Sequence, residues 1–576
     1  MLQTHESLSP DATTYPPALR KGFGEGDCLL KWLTDHFNID RCGGKWTQSK
    51  LTQRLATPAQ HRASRPSACR VAWAWVINAR PSAGHFTGPS TGPSTGPLLP
   101  GRGILLGTLL SLFLVSCICS ASIAGTVLAD AAEAQDWPRV QRLLLAEVPS
   151  ATQPDGMTAL HWATYHGDKS TVTRLLVADA DPNAKTRYAV TPLSIACEAG
   201  RAAITKQLLL AGADPNQRLP GAITPLMLAA RSGDAATVRE LLHHGAKIHS
   251  AEGRRQTALM FAAAAGAGNV VDVLVASGAD IEATSRSGFT ALMFAARDGR
   301  GAAMKRLLAA GAKPGAVITK GGGGRAPRKG TSALLMAVES GHYQLALELV
   351  RHGADPNDQR SGYAPLHALS WARRPQYGDN PKGDPPPRGS GSVAPLRFVR
   401  ELVAAGADVN LRLKKGGAGK ADLNPRGATP FLLASHTADL PLMQTLLDLG
   451  ADPTITNADG TTPLITAAGV GSISVGEHPG SIEEVEAALR LLIDLGADVN
   501  AVDKNHQTAM HGAAYRSYPE TVALLAELGA NPAVWNVKNH HKSTPIDVAK
   551  GRRPGSLKPS PETVAALRAA MGKPSN

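Results

Sequence analysis

The chain has 576 residues, too many for one ordinary domain. Aromatic residues make up only 4%, against abundant Ala, Leu and Gly, a mixture that suits thin stacked helices and excludes a thick sandwich or barrel. A net charge of +13 over this length excludes the dense positive charge of a dedicated nucleic-acid binder.

Residues 1–102 carry 12 Lys+Arg against 6 Asp+Glu and show no sustained helical or strand periodicity. They include a simple-sequence stretch, Gly88-Pro-Ser-Thr-Gly-Pro-Ser-Thr-Gly-Pro97, which cannot bury a core and reads as disordered. Residues 103–125 contain no charge. Their strongly apolar part runs from Ile104 to Val115 and is followed by small residues. That length fits the apolar core of an export signal better than a full spanning helix. Arg102 precedes the run and Asp130, Glu133 and Asp136 follow it, so everything after residue 125 is expected on the exported side of a bacterial membrane. A buried core helix is the alternative.

A cleavable signal belongs at an N-terminus. Translation starting near Leu98 or Leu99 makes residues 1–97 an artefact; if Met1 is genuine, residues 103–125 are a signal anchor. The tetrad Leu114-Val-Ser-Cys117 resembles a bacterial lipobox, which makes Cys117 a candidate for lipidation. Only Cys197 among six cysteines lies beyond residue 125, and no Cys/His set has zinc spacing. No metal site and no cofactor are expected.

From residue 126 onward the chain repeats. Thr-Pro/Ala-Leu occurs at Thr158, Thr191, Thr224, Thr257 and Thr290, each step being 33 residues. It continues from Ser332, Ala364, Thr429, Thr462, Thr508 and Thr544, and in regular units a Gly follows the Thr by 21 residues, as at Gly212, Gly245 and Gly278. Thr is a good helix N-cap, and Pro at the next position fits the first turn. Glycine suits a left-handed helix end, and Asp-Pro-Asn turns into a hairpin. One such unit cannot bury its apolar face, but stacked units can. The pattern, with Thr158-Ala-Leu-His-Trp-Ala163, Leu175-Leu176 and Asp181-Pro-Asn183, resembles the ankyrin-repeat family. The resemblance implies an all-α solenoid of helix–turn–helix units joined by hairpins. About 12 units are expected within 126–574, behind a disordered region (1–102) and an apolar segment (103–125).

His161, His367 and His511 occupy the fourth motif position, where the family uses histidine for hydrogen bonds between repeats. No catalytic partner recurs at a fixed distance from them. No phosphate loop or nucleophile elbow is present, so no catalytic residue is assigned.

The informative places are where the 33-residue step fails. Nine residues are added before Ser332 and eleven before Thr429, both in basic, glycine-rich hairpins. Cations in the hairpins are Arg187, Arg218, Arg254, Arg255, Arg286, Lys320, Arg325, Arg328, Lys329, Arg360, Lys414 and Lys415, a ladder along one edge. The neighbouring Gly-Ala-Asp aspartates offset part of that field. Two further insertions, at 372–394 and 469–481, fall between the two helices of a unit, on an edge away from the hairpins. Trp371 and Tyr377 make the first of these a candidate hydrophobic anchor.

The expected function is a monomeric protein–protein interaction scaffold, not an enzyme, in the cell envelope on the periplasmic or extracellular side. It is held through residues 103–125 or released. The alternatives are an enzyme targeted by its repeats and a binder of an anionic polymer. Nucleic acid is not expected, since no aromatics interleave with the bases. N-terminal sequencing of the native protein is expected to find no chain that begins before residue 90; a longer mature chain defeats the downstream start.

Overall fold

The computed structural model describes residues 126–572, except 146–147, 321–326, 376–385, 416–422, 473–478 and 553–557. Residues 1–125, with the apolar run and Cys117, lie outside the described residues, as do Arg325 and Tyr377. Among the described residues the secondary structure is helical, with isolated β-bridges and no named strand. No described helix is long and apolar enough to cross a membrane.

The repeated threonine starts the first helix of each unit. Thr158, Thr191, Thr224, Thr290, Thr429, Thr462 and Thr544 are extended in backbone, and each side chain accepts from the amide three residues on. Ser332 does the same with Leu335. Such a cap contributes about 1 kcal/mol. Pro192, Pro225, Pro430 and Pro463 follow at the first helical position, where no amide partner is lost.

The second helix ends on the repeated glycine. In Ala202–Leu210 the Gly212 amide donates to Leu209 O (3.0 Å) and the Ala213 amide to Leu208 O (2.9 Å). Gly212 has φ +89° and open space where a Cβ would stand, so backbone conformation alone demands glycine there. The following Ala213 is buried, which explains why Gly-Ala recurs as a pair.

Helices stack in two rows. First helices pack each on the next, from Val127–Glu133 through Ala159–His166, Pro192–Glu198, Pro225–Ser232, Ala258–Ala265, Ala291–Arg297, Ala333–Glu339, Pro365–Arg373, Pro430–His436, Pro463–Ala468 and Ala509–Arg516 to Pro545–Ala549. Second helices pack alongside, from Lys169–Val177 to Gly301–Ala309 and again from Tyr343–Arg351 to Pro561–Ala570. This arrangement is consistent with a solenoid. Fully buried alanines such as Ala229, Ala230, Ala262, Ala263, Ala295 and Ala296 let first helices approach, and Leu208, Leu241, Leu274 and Leu307 fill the space between rows. One apolar core runs from Leu128 to Leu567.

Between units a polar clamp recurs. Asn183 donates through Nδ2 to Gly212 O (2.9 Å) and accepts through Oδ1 from the Asp214 amide (2.8 Å). Asn216, Asn357, Asn410 and Asn500 repeat both bonds one unit further on. The clamp satisfies the helix-end carbonyl of the next unit and fixes the next turn. Aspartates of the same turns cap their own backbone, as Asp181 does for the Asn183 amide (2.8 Å).

The four insertions fall where the repeat spacing places them. In the unit starting at Thr462, part of the added length becomes helix. The second helix, Ile482–Asp494, has 13 residues against the 9 of Ala202–Leu210, about one extra turn.

Two of the three motif histidines, His161 and His367, join units, as the resemblance implies. His161 Nδ1 lies 2.8 Å from Thr158 Oγ1 and accepts from the Thr158 amide, while Nε2 donates to Val190 O of the next unit (3.1 Å). His367 accepts from the Ala364 amide and reaches Leu411 O (2.9 Å). These roles require neutral imidazole. Burial lowers the pKa of His161, His367 and His511 to about 4. Since the folded value lies below the unfolded one, the stabilisation is complete above about pH 6.5. It is lost as pH falls toward 4, by up to about 1.4 kcal/mol per pH unit per histidine. The urea midpoint is therefore expected to drop between pH 7 and pH 5. The drop should shrink in the variant His161→Gln/His367→Gln/His511→Gln; equal drops in both proteins would refute the assignment.

Candidate interaction surface

The face made by the first helices carries an apolar stripe at the fourth residue after the cap: Trp162, Ile195, Leu228, Phe261, Phe294 and Met336. Neighbours cover most of it, leaving Ile195 and Phe261 half-buried. Three residues further along stand Tyr165, Glu198, Arg231 and Arg297. Glu198 and Arg231 pair across two units at 2.7 Å, and the Arg297 guanidinium lies over Phe294 at 5.1 Å. The opposite row is laced by exposed pairs between units, Lys206–Glu240 (3.6 Å), Arg306–Asp272 (3.4 Å) and Arg400–Asp448 (3.4 Å). Each contributes little on its own.

Hairpin tips bond to one another, unit to unit. Arg187 N donates to Asp155 O (2.9 Å), Gly253 N to Gly221 O (2.8 Å), Arg286 N to Arg254 O (2.7 Å), and Lys504 N to Asp459 O (2.8 Å). Arg187, Arg218, Arg254, Arg255, Arg286, Lys320, Arg328, Lys329, Arg360, Lys414 and Lys415 all stand in these hairpins.

The charge is not an even ladder, however. Hairpins 181–190, 214–223, 247–256, 280–289, 452–461 and 498–507 together carry 8 Lys+Arg against 9 Asp+Glu. The three consecutive hairpins 313–331, 355–363 and 408–428 carry 11 against 4. Across the other six hairpins the carboxylates offset the cations in sum, although 247–256 carries three bases against one acid. Most of the excess lies in the two longer hairpins, 313–331 and 408–428, which carry 10 Lys+Arg against 2 Asp+Glu.

Trp371 does not stand apart from the hairpins. It is half-buried, edge-to-face with Tyr363 at 4.9 Å, and packs on a small core of Leu413, Ala428, Leu432 and Leu433. The Tyr363 hydroxyl donates to Glu339 Oε1 (2.6 Å), and the Arg328 guanidinium lies 5.4 Å over the Tyr363 ring. Burial holds the Glu339 carboxyl above its ordinary range. The long hairpin folds over the first helices and covers Trp371, so this tryptophan is a packing residue at the hairpin root.

On the other edge, residues bordering the first inter-helix insertion gather at a buried carboxylate. Asp439, fully buried, caps the helix Leu440–Asp448 and accepts two bonds from Arg373 (2.8 and 3.0 Å). Arg374 reaches Glu484, two units on, with both terminal nitrogens (2.6 and 2.9 Å) and Asp439, in the unit between, at 3.9 Å. The Arg374 guanidinium holds Glu484 below its ordinary carboxylate range. Arg516, one unit beyond, donates to Pro479 O (3.2 Å) and His436 O (3.0 Å). Spacing alone could not reveal this network, since its members lie up to 110 residues apart. A pair of arginines at the end of a first helix was the available signal.

A related substitution explains other bases. At the cap of a second helix, Asp168 and Asp234 bond their own amides. Where Arg201 or Arg300 stands there instead, the guanidinium reaches back to carbonyls ending the first helix of the preceding unit, Thr164 O and Ala264 O. Cys197 is fully buried, and burial pushes its thiol pKa up, which makes it inert.

Two-row stacks of capped helix pairs with clamped hairpins define an ankyrin-type repeat protein. A family model described as "Ankyrin repeats (3 copies)" matches residues 128–219, 226–318 and 431–536, and one described as "Ankyrin repeat" matches 329–361. The chain belongs to the ankyrin-repeat family. It is 28% identical over 250 residues to the human "Ankyrin repeat and SOCS box protein 16", covering 38% of this chain and 48% of that protein. With the human "Ankyrin repeat and SOCS box protein 6" it shares 32% identity, covering 31% and 34% respectively. With the human "Neurogenic locus notch homolog protein 1" it shares 30%, covering 26% and 5%. The chain thus spans less than half the length of each of these relatives.

The Asp439 network generates a local test. Asp439→Ala leaves the half-buried Arg373 guanidinium without its carboxylate, while Arg374 keeps Glu484, and it removes a cap, at a cost of about 3 kcal/mol. Amide hydrogen exchange is expected to speed up in 365–373 and 440–448 while 202–243 stays unchanged. Unaltered exchange in 440–448 rules the network out as a structural tie.

Proposed function

We propose that the chain is a non-catalytic scaffold of about 12 ankyrin units that binds a protein partner through its first-helix face and hairpins. It acts as a monomer on the exported side of a bacterial membrane. The observation that carries the binding role is how the recurring polar residues are employed. The cap threonines and turn aspartates shape each unit, and the bridging histidines and clamp asparagines hold one unit to the next. Chemical freedom is left to the variable positions, which change from unit to unit along one continuous face. Such a surface recognises shape and charge. The family supports the same class, since ankyrin repeats imply protein partners.

The exported location has its own support, the charge-free run 103–125 between Arg102 and the acidic residues that follow. Residues 103–125 supply the membrane attachment if they stay uncleaved, or Cys117 does if it is lipidated.

Photo-cross-linking in intact native cells tests both parts. A cross-linkable residue at Tyr165 or Phe261 is expected to capture one discrete protein of the cell envelope. The same residue at Arg239, exposed on the second-helix row, is expected to capture none. Capture of a cytoplasmic protein overturns the location, and capture from Arg239 alone overturns the choice of face.

A further inference from the structure

We propose that three adjacent hairpins form a docking platform for an extended acidic polypeptide segment, a proposal that rests on the scaffold reading above. The platform consists of residues 313–320 with 327–331, 355–363, and 408–415 with 423–428. They carry 9 Lys+Arg against 3 Asp+Glu.

The three carboxylates are already employed. Asp358 pairs with Arg360 at 2.8 Å. Asp355 accepts from the Asn357 amide (2.8 Å) and Asp408 from the Asn410 amide (2.9 Å). Lys320, Lys329, Lys414 and Lys415 are exposed, and among the described residues they make no ion pair. Their charge is therefore available to a partner.

The platform is built before any partner arrives. Each long hairpin is closed at its root by two backbone bonds, Ile318 N to Thr331 O (2.9 Å) with Gly330 N to Ile318 O (2.7 Å), and Leu413 N to Ala428 O (2.9 Å) with Gly427 N to Leu413 O (2.7 Å). The short hairpin between them is tied to both. Arg360 Nη2 donates to Gly315 O (2.8 Å) on one side. On the other, Gln359 donates to Arg412 O (3.1 Å) and accepts from the Lys414 amide (2.9 Å). Gly330 packs so closely on the middle hairpin that a Cβ there would collide with the Arg360 carbonyl. Fixing in advance the backbone that carries the cations lowers the entropy lost on binding.

The chemistry selects the partner class. Among the described residues of these hairpins Ile318, Leu413 and Leu423 are buried, Val317 and Leu411 are half-buried, and no large hydrophobic is exposed to insert into a lipid surface. Tyr363 is engaged by Arg328, Trp371 and Glu339, so it offers no stacking platform for a nucleobase. What remains is positive charge across three hairpins, on the order of 20–25 Å if units step by about 10 Å. About seven extended residues span that distance. A run of Asp and Glu in a partner protein matches both the length and the sign.

The test measures fluorescence anisotropy of a labelled decaglutamate peptide with the full chain. Binding is expected to weaken steeply with added salt. The variant Lys320→Glu/Lys329→Glu/Lys414→Glu is expected to lose affinity on the order of a hundredfold. The control Arg187→Glu/Arg218→Glu/Arg286→Glu should change it by less than about threefold, because those hairpins are already charge-balanced. Circular dichroism confirms that both fold, and Lys320→Gln/Lys329→Gln/Lys414→Gln, with a smaller loss, serves if charge reversal does not. Equal losses in the two triple variants overturn the platform. So does tighter binding of a decathymidylate or of anionic phospholipid vesicles than of decaglutamate. If decaglutamate fails while the Tyr165 and Phe261 cross-links persist, the platform is wrong and the scaffold stands; loss of the cross-links as well removes both.

Discussion

No unit of this chain can bury its own apolar side, and every other feature follows from that constraint. Leu208 or Leu241 is covered only because another helix pair lies against it. Lateral packing is therefore the force that holds the chain together, and the polar residues that recur are the ones that align it. The Asn clamp shows how. Its amide spans two units, satisfying a helix-end carbonyl and positioning the next turn in one contact. A packing interface without such a contact could slide; the clamp gives it register.

The same clamp explains why long insertions are tolerated. Asn357 reaches Gly406 across 49 positions, where Asn183 reaches Gly212 across 29, yet the geometry is equivalent. Added residues leave the stack between fixed points and return to it. Loop closure becomes only slowly more costly with length, so such excursions are cheap. Those excursions also escape the requirements that the regular unit imposes. Over the short hairpins as a set, carboxylates and cations balance. The hairpins at 313–331 and 408–428 add bases without a matching number of carboxylates, and the excess positive charge collects there.

The opposite edge uses charge in another way. Arg373, Arg374, Asp439 and Glu484 tie three consecutive units together where the insertions at 372–394 and 469–481 leave the stack. Buried guanidinium and carboxylate groups need mutual satisfaction to offset their lost hydration. One edge of the protein thus uses its arginines internally, while the hairpin edge presents lysines outward. Counting bases along the chain cannot separate these two uses.

Much was legible in the residues themselves. The 33-residue step, the cap threonines, the helix-ending glycines and the bridging histidines are local or nearest-neighbour features, and periodicity exposes them directly. All the cap positions from Thr158 to Thr544 start helices, and the insertion sites fall where the spacing breaks. The candidate surface was legible only in part. Hairpin membership of the cations could be read from spacing, but Trp371 was misplaced, because its neighbours Tyr363, Leu413 and Leu433 come together only when a long hairpin folds back. Only tertiary structure decided which cations are neutralised, since that depends on what lies across a turn or one unit away. The sequence alone determined that units stack, because each carries an apolar face it cannot cover. The folded chain decided which side chains remain available once stacking is complete.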